Sequence, residues 1–278
     1  MIIDGKKEAL ILREQIKKEI DSIKLKNIGV PGLTVILIGD FAPSQIYVKN
    51  KEKNAKEVGI TSEVLRFPKE VSEEEILNKI EELNNNSKVS GILVQLPLPQ
   101  QISKEKVINA INPFKDVDGF HPTNVGNLSS GYKAIVPCTP LGCLLLIKKI
   151  EPNLRGKHAV IIGRSNLNGK PMAQLLLKEN CTVTIVHSKT INLKAECLKA
   201  DILVAAVGVA NLVKADWVKE NSIIIDVAIN RVGDRLVGDV EFDTVQKKVK
   251  AITPVPGGVG PMTIACLLKN TLECFKGR

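Results

Sequence analysis

Tyr47 and Lys51 stand four residues apart in the stretch Tyr47-Val48-Lys49-Asn50-Lys51, the spacing that puts two side chains on one face of a helix. A phenol ring beside an amine offers a flat surface for an aromatic ligand and a group able to take and return a proton. Lysine does such work only where burial or a neighbour brings its pKa toward working pH. Gln95 closes the apolar run Gly91-Ile92-Leu93-Val94, and Asp118 lies in Lys115-Asp116-Val117-Asp118-Gly119-Phe120. Both are polar groups at the ends of other elements, where they can converge on the lysine.

A second chemistry is written in Val160-Ile161-Ile162-Gly163-Arg164-Ser165-Asn166-Leu167-Asn168-Gly169-Lys170-Pro171, a strand, a polar turn and a helix whose first turn accepts Pro171. Such a helix N-terminus favours a phosphate. It is not a Walker A loop, because five residues separate Gly163 from Gly169 and Pro171 replaces the hydroxyl residue. Nor is it the standard dinucleotide fingerprint, since Ser165 and Asn168 stand where the second and third glycines belong, so a dinucleotide sits there in a modified pose. After the next strand, where a carboxylate would hold the ribose hydroxyls of NAD, the chain has His187-Ser188-Lys189. That favours NADP, with Arg164 and Ser188 as donors to its 2′-phosphate.

These groups need elements to hold them. Helical periodicity over Ala9 to Ile23 leads into the strand-like run Leu33 to Ile38, and a helix starting near Ser44 carries Tyr47 and Lys51. Thr61 to Phe67 and Gly91 to Gln95 read as strands, with a helix over Glu73 to Leu83 between them. The alternation predicts a parallel α/β layer. From Asn112 to Gly131 the chain is rich in glycine and proline without periodicity, so a hinge between domains is expected there. Beyond it come a helix over Leu141 to Ile150 and strands at His158 to Gly163, Thr182 to Val186, Ile202 to Ala206 and Ile223 to Val227, the pattern of a doubly wound sheet. Pro256 to Pro261 reads as a loop and Met262 to Phe275 as a closing helix.

Composition narrows the partners. The 278 residues are 44% hydrophobic, enough for a real core, and the length suits one large or two ordinary domains. A net charge of +9 arises from lysines spread along helical segments, and aromatics are only 3% of the chain, too few to form a stacking platform for bases. No nucleic-acid role is expected. The N-terminus is charged from Asp4 onward and no apolar run is long enough for a bilayer, which predicts a cytoplasmic protein without a membrane partner. Six cysteines without a CxxC pair predict buried thiols, and His121 near Asp116 and Asp118 lacks calcium-loop spacing, so no metal is expected.

Taken in order, Tyr47-Val48-Lys49-Asn50-Lys51, Gly91-Ile92-Leu93-Val94-Gln95-Leu96-Pro97-Leu98-Pro99, Lys115 to Phe120, Pro137-Cys138-Thr139-Pro140, Gly163-Arg164-Ser165 and Pro256-Gly257-Gly258-Val259-Gly260-Pro261-Met262-Thr263 resemble the methylenetetrahydrofolate dehydrogenase/cyclohydrolase family across nearly the whole chain. The resemblance implies an α/β fold of two domains. It implies residues 1–120 as the folate-binding domain, with helix 262–275 packing back on it, and 121–261 as a Rossmann-like NADP-binding domain. It implies Lys51 as the central catalytic residue, Gln95 orienting it, Tyr47 stacking on the folate and Asp118 anchoring the pterin. Leu96, Pro97, Pro256, Gly257 and Gly258 would shape the folate site, while Gly163, Arg164, Ser165, His187, Ser188, Ala206, Val207, Gly208, Ala228 and Ile229 would hold NADP. A homodimer acting on tetrahydrofolate derivatives is implied as well.

Certain positions depart from the family pattern. Asn168 replaces a small apolar residue, Val209-Ala210 a basic residue and proline, Ala228 a glycine, and Phe41-Ala42-Pro43-Ser44 exchanges the usual order of its proline and alanine. An added methyl can obstruct a ligand at a close backbone approach. Two alternatives therefore stay open: a family member that hydrolyses without efficient NADP reduction, and a nucleotide-binding regulatory protein on a degenerate scaffold.

Overall fold

The computed structural model describes residues 1–277. The chain divides into two compact units, one made of Ile11–Val136 with the chain from Ile264 onward, the other of Met1–Leu10 with Pro137–Thr263.

In the first unit the order is α1 (Gly5–Leu25, from Ile11 onward), β1 (Gly32–Ile38), α2 (Ala42–Val58), β2 (Thr61–Phe67), α3 (Glu73–Asn85), β3 (Gly91–Val94), α4 (Lys104–Ala110) and α5 (Pro122–Ser129). Its sheet is parallel with strand order β2-β1-β3. The central strand β1 is buried along its whole length, which is why it reads as an unbroken apolar run rather than an alternating one. On one face Ile36, Ile38, Ile92 and Val94 pack with Ile76, Ile80 and Leu83 of α3 and Val107 of α4. Ser72 caps α3, its hydroxyl accepting from the Glu75 N–H, and three glutamates follow in the first turn where the helix dipole favours them. α2 ends at Gly59, whose φ of 88° closes the helix in a left-handed turn.

The second unit continues with α6 (Cys138–Ile150), β4 (His158–Ile162), α7 (Gly169–Lys178), β5 (Thr182–Val186), α8 (Leu193–Cys197), β6 (Ile202–Ala205), β7 (Ile223–Asp226), β8 (Asn230–Val232), β9 (Arg235–Val237), α9 (Phe242–Val245), β10 (Ala251–Ile252) and the first turn of α10 (Val259–Lys276), whose residues from Ile264 onward belong to the first unit. Five parallel strands lie in the order β10-β7-β6-β4-β5, and β8 with β9 forms a separate antiparallel hairpin. Val160, Ile162, Leu203, Ala205 and Ile224 pack on Val213, Val218 and Val245 to make this unit's core. The ladder runs one residue beyond the strands: Gly163 N–H donates to the Val186 carbonyl, Ala206 N–H to Ile162 and Val227 N–H to Ala205. Four loops thus leave the sheet from one carboxyl edge, the place where open α/β sheets bind ligands.

Two expectations need correction. The segment from Asn112 to Gly131 is not an irregular hinge, because Asp116 bridges Ile92 as a further strand partner and α5 occupies Pro122–Ser129. Pro122 sits at the start of that helix, where its missing N–H costs nothing, and His121 caps it through Nδ1. Likewise α10 begins at Val259, inside the expected loop, since Pro261 falls in its first turn. The compact units divide at 136/137. The cause is Asn124, whose side-chain N–H groups donate to the Pro113 carbonyl and Asp116 Oδ2 while its Oδ1 accepts from Ile135 N–H. Residues 1–10 join the second unit because Ile3 N–H donates to the Ile252 carbonyl and Lys6 N–H to Gly257.

Candidate functional site

In the first unit the site is built by α2 and the end of β3. Ser44, Val48, Ala55 and Val58 form the buried stripe of α2, which leaves Tyr47 and Lys51 one turn apart on its flank. Tyr47 is 42% exposed, so its ring has a face free for a ligand. Lys51 is half-buried, and its Nζ donates to Gln95 Oε1 at 2.9 Å. Gln95 is fixed twice, by its backbone N–H on the Ile36 carbonyl at 2.9 Å and by Nε2 on the Leu96 carbonyl at 2.7 Å. Those bonds orient the carboxamide so that its acceptor faces the lysine. The partner of Lys51 is therefore a neutral amide, which holds the amine in place without the charge stabilisation that a carboxylate would give its protonated form.

Leu96 and Asp118 share the wall of one small cavity with Ile92, Val94, Val107 and Phe120. Asp118 stands in a turn organised by its neighbour Asp116, a residue sequence reasoning passed over. The Asp116 carboxylate accepts from Gly119 N–H at 3.0 Å, His121 N–H at 2.8 Å and Asn124 Nδ2 at 3.0 Å, and Gly119 takes a φ of 72° to complete the turn. Burial raises its pKa despite these donors. The signal was present as an Asp three residues before a Gly, the pattern of an aspartate capping its own turn. Pro97 follows a cis Leu96–Pro97 bond at the mouth of the strand.

Pro256, Gly257 and Gly258 belong to the second unit. Gly258 is packed so closely that a Cβ would come within 2.6 Å of the Pro254 carbonyl oxygen, and Gly257 has a φ of 107°.

At the carboxyl edge of the five-stranded sheet, Gly163 takes a φ of 121° directly over the Ala206 carbonyl, and a Cβ on Gly169 would lie 2.1 Å from the Gly163 oxygen. These two glycines let α7 start tight against the turn. Ser165 is exposed; its Oγ accepts from Asn168 N–H at 3.1 Å and its carbonyl from Lys170 N–H, which holds the turn while the hydroxyl proton stays available to donate. α7 carries no side-chain cap; with Lys170 N–H taken by Ser165 and no N–H on Pro171, the Gly169 N–H is the one donor left in its first turn, near the exposed Arg164. After β5, His187 N–H donates to Thr190 Oγ1 at 2.9 Å and His187 Nδ1 accepts from Lys189 N–H at 3.2 Å, so this turn presents Ser188 and Lys189 outward. Cations, hydroxyls and a helix start with no carboxylate after β5 fit a dinucleotide that carries an extra phosphate on its ribose.

Ala206, Val207 and Gly208 follow β6, and Ala228 and Ile229 follow β7. Two buried aspartates missed in the sequence shape these loops. Asp239 accepts from the N–H groups of Val207, Gly208 and Val209, and Asp226 accepts from those of Asp239 and Val240. Burial, reinforced by the nearby Asp239 charge, pushes the Asp226 pKa up to about 7. None of Asn168, Val209, Ala210 or Ala228 has a positive φ, so these departures add no backbone strain. Among the described residues, no group of three metal-ligating side chains occurs. All six cysteines are buried and free, with burial pushing Cys197 and Cys266 up to about 12.

Comparison with known proteins agrees with both halves. The profile of the tetrahydrofolate dehydrogenase/cyclohydrolase catalytic domain matches residues 3–118, and that of the same family's NAD(P)-binding domain matches 137–278. A bifunctional protein FolD of Pelagibacter ubique is 70% identical over 276 residues, 99% of this chain and 98% of the relative. The crystal structure of the bifunctional FolD methylenetetrahydrofolate dehydrogenase/cyclohydrolase from Campylobacter jejuni superimposes with a TM-score of 0.97 at 47% identity, covering 100% of this chain and 99% of that one. The Trypanosoma brucei methylenetetrahydrofolate dehydrogenase-cyclohydrolase, complexed with NADP cofactor and inhibitor, gives 0.95 at 38% identity over 100% and 97% of the two chains. With its paired lysine and glutamine in one unit and its dinucleotide edge in the other, this chain belongs to the tetrahydrofolate dehydrogenase/cyclohydrolase family.

Proposed function

We propose that the protein oxidises 5,10-methylenetetrahydrofolate to 5,10-methenyltetrahydrofolate with NADP and hydrolyses the product to 10-formyltetrahydrofolate. The observation that carries this reading is the hydrogen bond from Lys51 Nζ to Gln95 Oε1 at the carboxyl end of a parallel sheet. NADP, when bound, supplies the acceptor for the hydride. In this reading Tyr47, whose ring is exposed, stacks on the flat pterin and Asp118 accepts from the pterin N–H groups. Oxidation leaves a cationic methenyl carbon, to which water adds. Lys51 takes the proton that the added water must lose and returns one to the ring nitrogen as the carbon–nitrogen bond opens, a contribution of ~10²–10⁴-fold.

Arg164, Ser188 and Lys189 take the ribose phosphate, and the start of α7 takes the pyrophosphate. Among the described residues no helix is long and apolar enough to cross a membrane. By family likeness the protein acts as a cytoplasmic homodimer, which sedimentation at twice the chain mass would test. Paired assays on the purified protein test the activity itself: NADP-dependent formation of methenyltetrahydrofolate, and its hydrolysis without cofactor. Both reactions proceeding supports the reading, and hydrolysis without NADP reduction would confine it to the cyclohydrolase half.

A further inference from the structure

The dinucleotide edge of the second unit contains a device that the reaction itself does not require. Asp239 is 0% exposed, and its carboxylate accepts four N–H donors: Val207 at 2.7 Å and Gly208 at 3.1 Å on Oδ2, Val209 at 2.8 Å and Asn230 Nδ2 at 3.0 Å on Oδ1. Three successive backbone N–H groups turned onto one anion form a nest of the kind that usually cradles a phosphate. Here the anion is the chain's own.

Asp239 is itself held from below. Its backbone N–H donates to Asp226 Oδ1 and the next N–H, of Val240, to Asp226 Oδ2, each at 2.9 Å. Asp226 N–H in turn donates to Thr253 Oγ1 at 2.8 Å. Gly238 allows this stacking, because a Cβ there would stand 1.8 Å from Asp226 Oδ2. A chain of bonds thus runs from the end of β10 through β7 to the loop after β6. Both loops leaving β6 and β7 carry residues expected to touch NADP.

We propose that Asp239, seated on Asp226, is a positioning residue for the dinucleotide, because it ties the N–H groups of Val207, Gly208 and Val209 inward and so fixes the loop that lies along the cofactor edge. Burial keeps a proton on Asp226 up to about pH 7, which spares the pair from holding two adjacent buried charges. The inference rests on the NADP-binding reading above and deepens it. A buried anion satisfied by four donors holds a loop more firmly than neutral bonds do, since charge-assisted hydrogen bonds are roughly twice as strong.

The test compares wild type with Asp239→Asn by residue-resolved amide hydrogen exchange in the absence of cofactor and by calorimetric titration with NADP. Asparagine keeps one acceptor and turns an amino group toward backbone donors. Exchange at Val207, Gly208 and Val209 should quicken while the amides of β4 and β6 keep their protection. The NADP Kd should rise about tenfold or more, the loss expected when a hydrogen bond to a charged group is broken. Faster loop exchange with an unchanged Kd would overturn the inference. So would a uniform loss of protection through β4, β6 and β7, which marks a merely structural aspartate. Asn230→Ala, which removes a single donor, decides the question if Asp239→Asn does not fold: weaker NADP binding supports the inference and unchanged binding overturns it. Wild-type protein that fails to bind NADP would instead refute the proposed function.

Discussion

At the scale of single residues, chemistry depends on what each polar group is allowed to be. Gln95 gives Lys51 a neutral partner at 2.9 Å, so Gln95→Glu should replace an amide with an ion pair. A carboxylate beside an ammonium favours the charged form. The pH–rate profile of methenyltetrahydrofolate hydrolysis should then move to higher pH, with a lower rate at neutrality; an unmoved profile would mean that Lys51 does not carry the proton. Asp226 gives a second prediction. Its folded pKa of about 7 stands above the ordinary 3.8 of an aspartate, so the folded state holds this proton more tightly than the unfolded chain does. The stability it contributes is complete below pH ~4 and is lost as pH rises to about 7. Urea midpoints of wild type relative to Asp226→Asn should fall across that window and stay level above it. Tyr47, Lys51 and Gln95 were legible because each sits at a motif end. Asp226 and Asp239 were not, since a lone aspartate in a sequence does not reveal the N–H groups that will surround it.

At the scale of elements, polar bonds close what apolar packing leaves open. Lys115 is buried, and its ammonium donates to the carbonyls of Leu83, Asn84 and Asn86 at 2.9, 2.7 and 2.8 Å, capping the C-terminal end of α3. Lys115→Met keeps the length of the side chain and strips those carbonyls of their donor. It should cost roughly 3 kcal/mol of stability, read as a lower unfolding midpoint. A change below about 0.5 kcal/mol would show the cap to be dispensable. Strands β1, β2, β4 and β5 stand where the runs of apolar and β-branched residues put them. Shorter elements were hidden for definite reasons. α4 is only seven residues long, and its signal reduces to the Ser103 cap on Lys106 N–H. The hairpin of β8 and β9 is exposed and charged, so no alternation marks it. In α5 the glycine and proline that suggested a hinge fall at positions a helix accepts.

At the scale of the whole molecule, the sequence carried the order of two α/β units. Asn124 and its bonds keep residues up to Val136 with the first unit, and a side-chain amide gives no such notice in a linear text. None of Asn168, Val209, Ala210 and Ala228 takes a positive φ, so these departures bring no backbone strain with them. NADP binding should therefore stabilise the native protein, by about 2.7 kcal/mol at a hundredfold excess over Kd. A melting temperature indifferent to NADP would argue against a working dinucleotide edge. The central claim, that the Lys51–Gln95 pair performs the hydrolysis, is tested most directly by cofactor-free hydrolysis of methenyltetrahydrofolate in Lys51→Met, with folate binding measured alongside. The account predicts a fall of ~10²–10⁴-fold in rate with folate still bound; wild-type rates in that variant would contradict it.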